Sequence, residues 1–247
     1  MTTAGKSRKP KRLIARATAS LPERSSIRQV PRRAGLAEYV YGHIKDLILD
    51  GHFLPGQTIP VDQLAGQLSV SRQPVTDALK RLSLEGFLVI FPQIGCCVRQ
   101  YETDEVGDFF RLFAEGEALV AELLVERANV EDIANLEVIS AQIGVLRTSM
   151  DGPDEISRKY RHLNRRLHFE MRRAARSPSV TEVVETLGDR SDFFIAASRK
   201  PLFADRLQTA HDEHEAIIAA VRRRDPGSAR EIMKQHILGI DLRIRGR

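Results

Sequence analysis

Nothing in the 247-residue sequence approaches the roughly 18 to 20 consecutive apolar residues that a membrane-crossing helix needs, and the first 35 residues lack the apolar core of a secretion signal. The expected location is therefore the cytoplasm, with no membrane partner. Cysteine is nearly absent. Cys96 and Cys97 are the only two, and as sequence neighbours they cannot make a disulfide framework; they read as small apolar strand residues. Tryptophan is missing, while 42% hydrophobic and 29% charged residues make an ordinary globular composition, so disorder of the whole chain is not expected. The length suits two cores of ordinary size or one large α/β domain.

Acidic residues are scarce at the N-terminus. Residues 1–35 carry ten Lys or Arg against Glu23 alone, a charge of +9, whereas residues 36–100 carry −1 and residues 101–247 carry −3. The net charge of +5 is thus a property of the tail. Broken by Pro10, Pro22 and Pro31 and poor in aromatics, that tail cannot bury enough surface to fold alone and is expected to be disordered. Two roles stay open for it: sequence-independent phosphate contacts that weaken with salt, or a solvated leader.

What is present begins at residue 36. Leu36, Val40, Ile44, Leu47 and Ile48 recur at helical spacing and stop at Asp50-Gly51. Pro60 suits a helix start, and Val61, Leu64, Ala65 and Leu68 form one short apolar face. Ser71 is placed to cap a third helix through its hydroxyl, with Val75, Ala78, Leu79 and Leu82 buried and Glu85-Gly86 as the stop. Only Ser69-Val70 separates the second helix from that cap, which is the shape of a helix-turn-helix. Two β-prone stretches, Phe87–Phe91 and Cys96–Val98, flank Pro92-Gln93-Ile94-Gly95, predicting a hairpin wing with Gly95 free to take a positive φ.

After residue 103 no strand signal recurs. Apolar spacing of three and four predicts helices near 104–127, 130–149, 154–176, 179–198, 203–223 and 227–243, broken at Asn129, Gly152-Pro153, Ser177-Pro178, Lys200-Pro201 and Asp225-Pro226-Gly227. The expected fold is mainly α: an N-terminal winged helix-turn-helix over 36–100 with a small β-hairpin, and a C-terminal antiparallel bundle of about six helices over 104–243.

Arg72 and Gln73 open the candidate recognition helix, where Arg can grip guanine and Gln adenine in the major groove. The runs Leu49-Asp50-Gly51-His52-Phe53-Leu54-Pro55-Gly56, Val70-Ser71-Arg72-Gln73-Pro74-Val75, Ala78-Leu79-Lys80-Arg81-Leu82 and Glu85-Gly86 resemble the winged helix of the GntR family. The resemblance implies operator DNA as partner, Arg72 and Arg81 as DNA contacts, and Gly95 as wing tip. Ser71, Thr76 and Lys80 share the helix face. Thr76 stands where the family often has Arg, so it can meet a phosphate or a thymine methyl but not grip guanine. For Lys80 and Arg81 the ordinary alternative is a solvated helix face; the near-neutral domain around Arg81 favours DNA contact.

In the helical half, His168, His214 and His236 each lie on an apolar stripe and should point inward. His214 and His236 stand eleven residues either side of Asp225, so antiparallel helices with a rise of 1.5 Å per residue bring them level. Asn164, four residues before His168, shares its face. Three imidazoles and an oxygen suit Zn²⁺, Ni²⁺ or a similar divalent ion with open positions. No organic cofactor is expected. A lone buried His is more often core; three at one height would be costly if unpaired, which favours a metal.

Asn164-Arg165-Arg166-Leu167-His168, Glu213-His214, Arg224-Asp225, Ala229 and Met233 to Ile237 resemble the FCD effector domain of the FadR subfamily, where matching positions bind metal through Asp or Asn and three His. The resemblance implies a homodimer that responds to a small organic or sugar acid, most commonly as a repressor. Here Asn164 is the uncharged variant. His211 lies near the stripe of His214 outside the motif and reads as a surface or supporting residue. Arg111 and Glu115 match a family Arg and Glu. Either they form an intrahelical ion pair, or Arg111 faces the cavity and holds an effector carboxylate. A metal-dependent hydrolase or lyase fused to a DNA-binding module is the rival function, weakened by the lack of an evident carboxylate beside the ligands.

Overall fold

The computed structural model describes residues 35–199 and 202–246, with the side chains of 202–206 left aside. The basic tail and the Lys200-Pro201 break lie outside the described residues. Two compact units meet between Gln100 and Tyr101.

In the first unit, α1 (Leu36–Leu49), α2 (Val61–Leu68) and α3 (Arg72–Leu84) precede β1 (Leu88–Phe91) and β2 (Gly95–Val98). The apolar positions read from the sequence are its core: Val40, Ile44, Leu64, Val75 and Leu82 are fully buried. Each Leu, Ile or Val removed from water contributes about 1.5–3 kcal/mol before entropy is counted. Ser69 takes a left-handed conformation at φ 54° to end α2, which lets α3 start after a three-residue turn.

Gly86 ends α3 at φ 90°, a conformation that glycine adopts without steric cost. The hairpin pairs Leu88 with Val98 and Phe91 with Gly95. Its turn needs positive φ at Gln93 (63°) as well as at Gly95 (137°), and the requirement at Gln93 had no glycine to signal it. The α1–α2 connection also docks on β2, where Ile59 N donates to Cys96 O at 2.8 Å and Gly56 N to Val98 O at 2.8 Å.

The second unit is all helical: α4 (Thr103–Arg127), α5 (Val130–Val145) with a 3-10 turn at Leu146–Thr148, α6 (Pro153–Ala174), α7 (Pro178–Ser198), α8 (Leu202–Arg222) and α9 (Pro226–Arg245). α4 lies along α9, and both meet α8. Phe110, Ala114, Ala118 and Leu124 of α4 are fully buried.

Two of the expected breaks prove to be caps. Asn129 forms a capping box with Asp132 at the start of α5, and the Asp225 carboxylate accepts from Ser228 N at 3.0 Å and from its hydroxyl at 2.6 Å. Next to it, Arg224 donates to Val125 O at 2.6 Å and Ala128 O at 2.8 Å. It thereby satisfies the last carbonyls of α4 and fixes the α8–α9 turn against that end.

Candidate DNA-reading surface and metal centre

On α3 the buried residues Val75, Ala78, Leu79 and Leu82 occupy one side, leaving Ser71, Arg72, Gln73 and Lys80 exposed and Thr76 half-exposed on the other. Ser71 stands at the N-cap, but its hydroxyl makes no capping bond, contrary to the expectation. The exposed helix start therefore carries undonated backbone N–H groups and a partial positive charge suited to a phosphate.

Arg72 pairs with Asp62 at 3.1 Å, both about three-quarters exposed; such a pair is worth little and is readily exchanged for a base. The Gln73 amide donates to both oxygens of Asp77 at 3.0 Å, and the Thr76 hydroxyl donates to Arg72 O at 3.0 Å. Lys80 reaches Asp77 at 3.3 Å. Hydrogen bonds from Gln73 and Lys80 hold the Asp77 carboxyl below its usual range. Nothing in the sequence pattern singled out Asp77, a carboxylate set among the DNA contacts expected from the sequence.

Arg81, whose side chain is half exposed, makes contacts that the sequence did not signal. Its guanidinium lies 3.5 Å from the Tyr41 ring centre, 2.7 Å from Glu38 and 3.4 Å from Glu85, while the Tyr41 hydroxyl donates to Glu85 at 2.7 Å. The near-neutral surroundings that favoured DNA contact contain acidic partners brought in from α1, so the side chain ties α3 to α1. Arg81→Ala is expected to cost about 1 kcal/mol, the sum of an exposed cation–π contact and a weak ion pair. Urea unfolding should show this as a lower midpoint, with base preference at the operator unchanged.

In the helical unit the three predicted histidines converge. His168 (α6), His214 (α8) and His236 (α9) are all buried, with ring centres 5.4 Å (168–214), 5.5 Å (168–236) and 4.6 Å (214–236) apart. One nitrogen from each lies within 4.8 Å of the others. Residues eleven either side of the Asp225 cap meet, as equal heights on antiparallel helices require. Asn164 is half-buried one turn before His168 and accepts a hydrogen bond from the Tyr160 hydroxyl at 3.3 Å.

Two carboxylates stand beside these rings; Glu117 had no signal in the sequence, and Glu213 appeared there only within the Glu213-His214 motif. The Glu213 carboxylate is 2.6 Å from His236 Nδ1. Glu117 of α4, with no exposure, lies 3.5 Å from His168 Nδ1 and 2.5 Å from Arg172, and its Oε2 has no hydrogen-bond partner. Burial alone raises the Glu117 carboxyl, but the charges of Arg172 and His168 outweigh burial and hold it below its usual range. Nearby, Asp192 lies 3.3 Å from Arg165; burial, opposed by Arg165, pushes it up to about 6.

Three buried nitrogen donors meeting at one point fit a first-row divalent ion, and the Glu213 carboxylate hydrogen-bonded to His236 Nδ1 sets the tautomer of that ring. When bound, the ion would supply Lewis-acid positions for a carboxylate or water.

Arg111 and Glu115 do not join this site. Arg111 is 77% exposed and lies 3.6 Å from Asp108 rather than from Glu115, and Glu115 pairs with Arg230 at 2.7 Å and Lys234 at 2.5 Å. They occupy the outer face of α4, so the cavity-facing role for Arg111 is withdrawn. Phe110, Ala114 and Glu117 hold the inner face instead. His211 is buried, its ring packed where any side chain at Gly144 would fall, 3.0 Å from Nε2.

A winged helix-turn-helix joined to an all-helical unit that holds a histidine cluster is the architecture of a DNA-binding transcription regulator. The sequence matches the bacterial regulatory proteins of the gntR family over residues 36–98 and the FCD domain over residues 113–239. The chain belongs to the GntR family and carries an FCD domain; it is a transcription regulator and not an enzyme.

It is similar to the HTH-type transcriptional repressor GlaR of Escherichia coli, with 26% identity over 80% of this chain and 90% of that protein. It also resembles the Nta operon transcriptional regulator of Aminobacter aminovorans, with 31% identity over 58% and 65% of the two chains. Among solved structures, E. coli McbR/YncC shares the fold at a TM-score of 0.68, with 23% identity over 83% of this chain and 96% of that one.

Proposed function

We propose that this regulator is a homodimeric repressor that binds a pseudo-palindromic operator and releases it when a small organic or sugar acid binds at a divalent metal centre. Ser71, Arg72, Gln73, Thr76 and Lys80 of α3 would meet the major groove, with Gly95 at the wing. His168, His214, His236 and Asn164 would hold the ion, leaving positions for the oxygens of the effector. The cytoplasm is the working compartment of this reading; no described helix is long and apolar enough to cross a membrane.

One observation carries the sensing half: three imidazoles from three separate helices meet in a buried cluster within 4.8 Å. Three imidazole nitrogens brought to one buried point are the donor set that a first-row divalent ion takes. The repressor output is supported by the likeness to GlaR, itself described as a repressor.

The experiment is fluorescence anisotropy of promoter duplex with Zn²⁺-loaded protein against a panel of organic and sugar acids. One class of acid should weaken operator binding about 5- to 150-fold, the usual range of allosteric coupling. His214→Ala should bind DNA without responding. Equal binding to promoter and random duplex at moderate salt would overturn the DNA reading, and a response undiminished in His214→Ala would overturn the metal reading.

A further inference from the structure

α4 is the first helix after the boundary between the two units, and it carries one fully buried carboxylate, Glu117. That carboxylate sits between two groups of α6: Arg172 at 2.5 Å and His168 Nδ1 at 3.5 Å from the same oxygen, Oε1. Two explanations compete for such an arrangement. Glu117 could serve only to neutralise a buried Arg172, a need that any well-packed neutral pair would remove. Alternatively, it could act through His168.

The second explanation accounts for a regularity that the first does not. His236 has a carboxylate on the same ring nitrogen, Glu213 at 2.6 Å from Nδ1. Two rings on different helices thus each face an acid at Nδ1, with Nε2 left for an ion: at His236 the acid is hydrogen-bonded at 2.6 Å, and at His168 it stands 3.5 Å away, close enough for ion pairing but not yet a hydrogen bond. A carboxylate that accepts from one ring nitrogen fixes the proton there, turns the lone pair of the other outward and makes it more basic.

We infer that Glu117, anchored by Arg172, is a positioning residue that orients His168 for the metal ion and so ties metal loading to α4. The inference rests on the metal reading above and deepens it. Arg172 keeps the carboxylate charged and fixed in place; Glu117 holds the tautomer of His168; an ion drawing on His168 Nε2 then tightens the link from α6 to α4. Loading is felt on the helix that leads toward the DNA-binding unit along the chain.

The test is Zn²⁺ competition between full-length protein and a chromophoric chelator, for wild type, Glu117→Gln, Glu213→Gln and the double variant Glu117→Gln/Arg172→Met. Glu117→Gln alone leaves Arg172 buried without a counter-charge and can fail to fold, and the double variant removes both charges together. Loss of a supporting carboxylate should lower Zn²⁺ affinity about 10- to 100-fold, in the double variant as in Glu213→Gln.

Long-range ¹⁵N–¹H correlations of the imidazoles should show His168 and His236 protonated at Nδ1 in the Zn²⁺ form. Hydrogen exchange around Glu117 in α4 should slow on Zn²⁺ addition in wild type and not in the double variant. Wild type that cannot compete with the chelator overturns the metal reading itself. Wild type that binds while the double variant binds equally well, or a His168 metallated through Nδ1, overturns the role of Glu117 alone. Equal α4 protection in both proteins overturns the link to α4.

Discussion

Arg72→Ala should weaken binding to the cognate operator by roughly 5- to 150-fold, or ~1–3 kcal/mol, while leaving binding to random duplex nearly unchanged. The side chain stands at the exposed start of α3, restrained among the described residues by an exposed ion pair to Asp62, and a guanidinium there can grip a guanine edge with two hydrogen bonds. Lys80 supplies the contrast. About two turns further along and paired among the described residues with Asp77, it is placed for a phosphate, so Lys80→Ala should weaken all duplexes alike and reduce the salt slope by about one. Both are read by anisotropy titrations at several salt concentrations. Equal losses on specific and random DNA for Arg72→Ala would remove it from base reading.

The other large effect is expected at the histidine cluster. Zn²⁺ at about 100 times its Kd should stabilise the folded protein by ~2.7 kcal/mol, which for a unit of this size raises the melting temperature by roughly 5–11 °C. A chelator should reverse the rise. His214 has no exposure and contributes one of three nitrogen donors, so His214→Ala should lose most of the rise at the same Zn²⁺ concentration. The comparison is the shift within each protein, since emptying a core position lowers the starting temperature by itself. An equal rise in the variant would place the ion elsewhere.

Much of this was legible in the linear order of residues because the signals are periodic or local. The helices of the second unit depart little from their predicted ranges, since apolar residues at three and four and breaks at Ser177-Pro178 or Asp225-Pro226 act over one or two turns. His214 and His236 were found by the same logic: equal distance from a tight antiparallel turn is a length, and length along a helix can be counted. What failed was rotation about the helix axis combined with partner choice. Arg111 was left open between an ion pair with Glu115 and a place in the cavity; it has neither, because the inward face of α4 runs through Phe110, Ala114 and Glu117 and Arg111 lies beside Asp108. Arg81 was read as a DNA contact without its partners Tyr41 and Glu38, which lie some forty residues earlier in the chain.

The sequence by itself determined the two-unit plan, the turn before Ser71 that sets α3 off from α2, and the levels at which three imidazoles stand, because periodicity, turn chemistry and rise per residue are local properties. Only the tertiary structure decided which charges those groups meet: Glu117 between Arg172 and His168, Glu213 on His236, Arg81 over Tyr41. Such pairings depend on the rotation and distance of helices remote in the chain, and no local pattern encodes them.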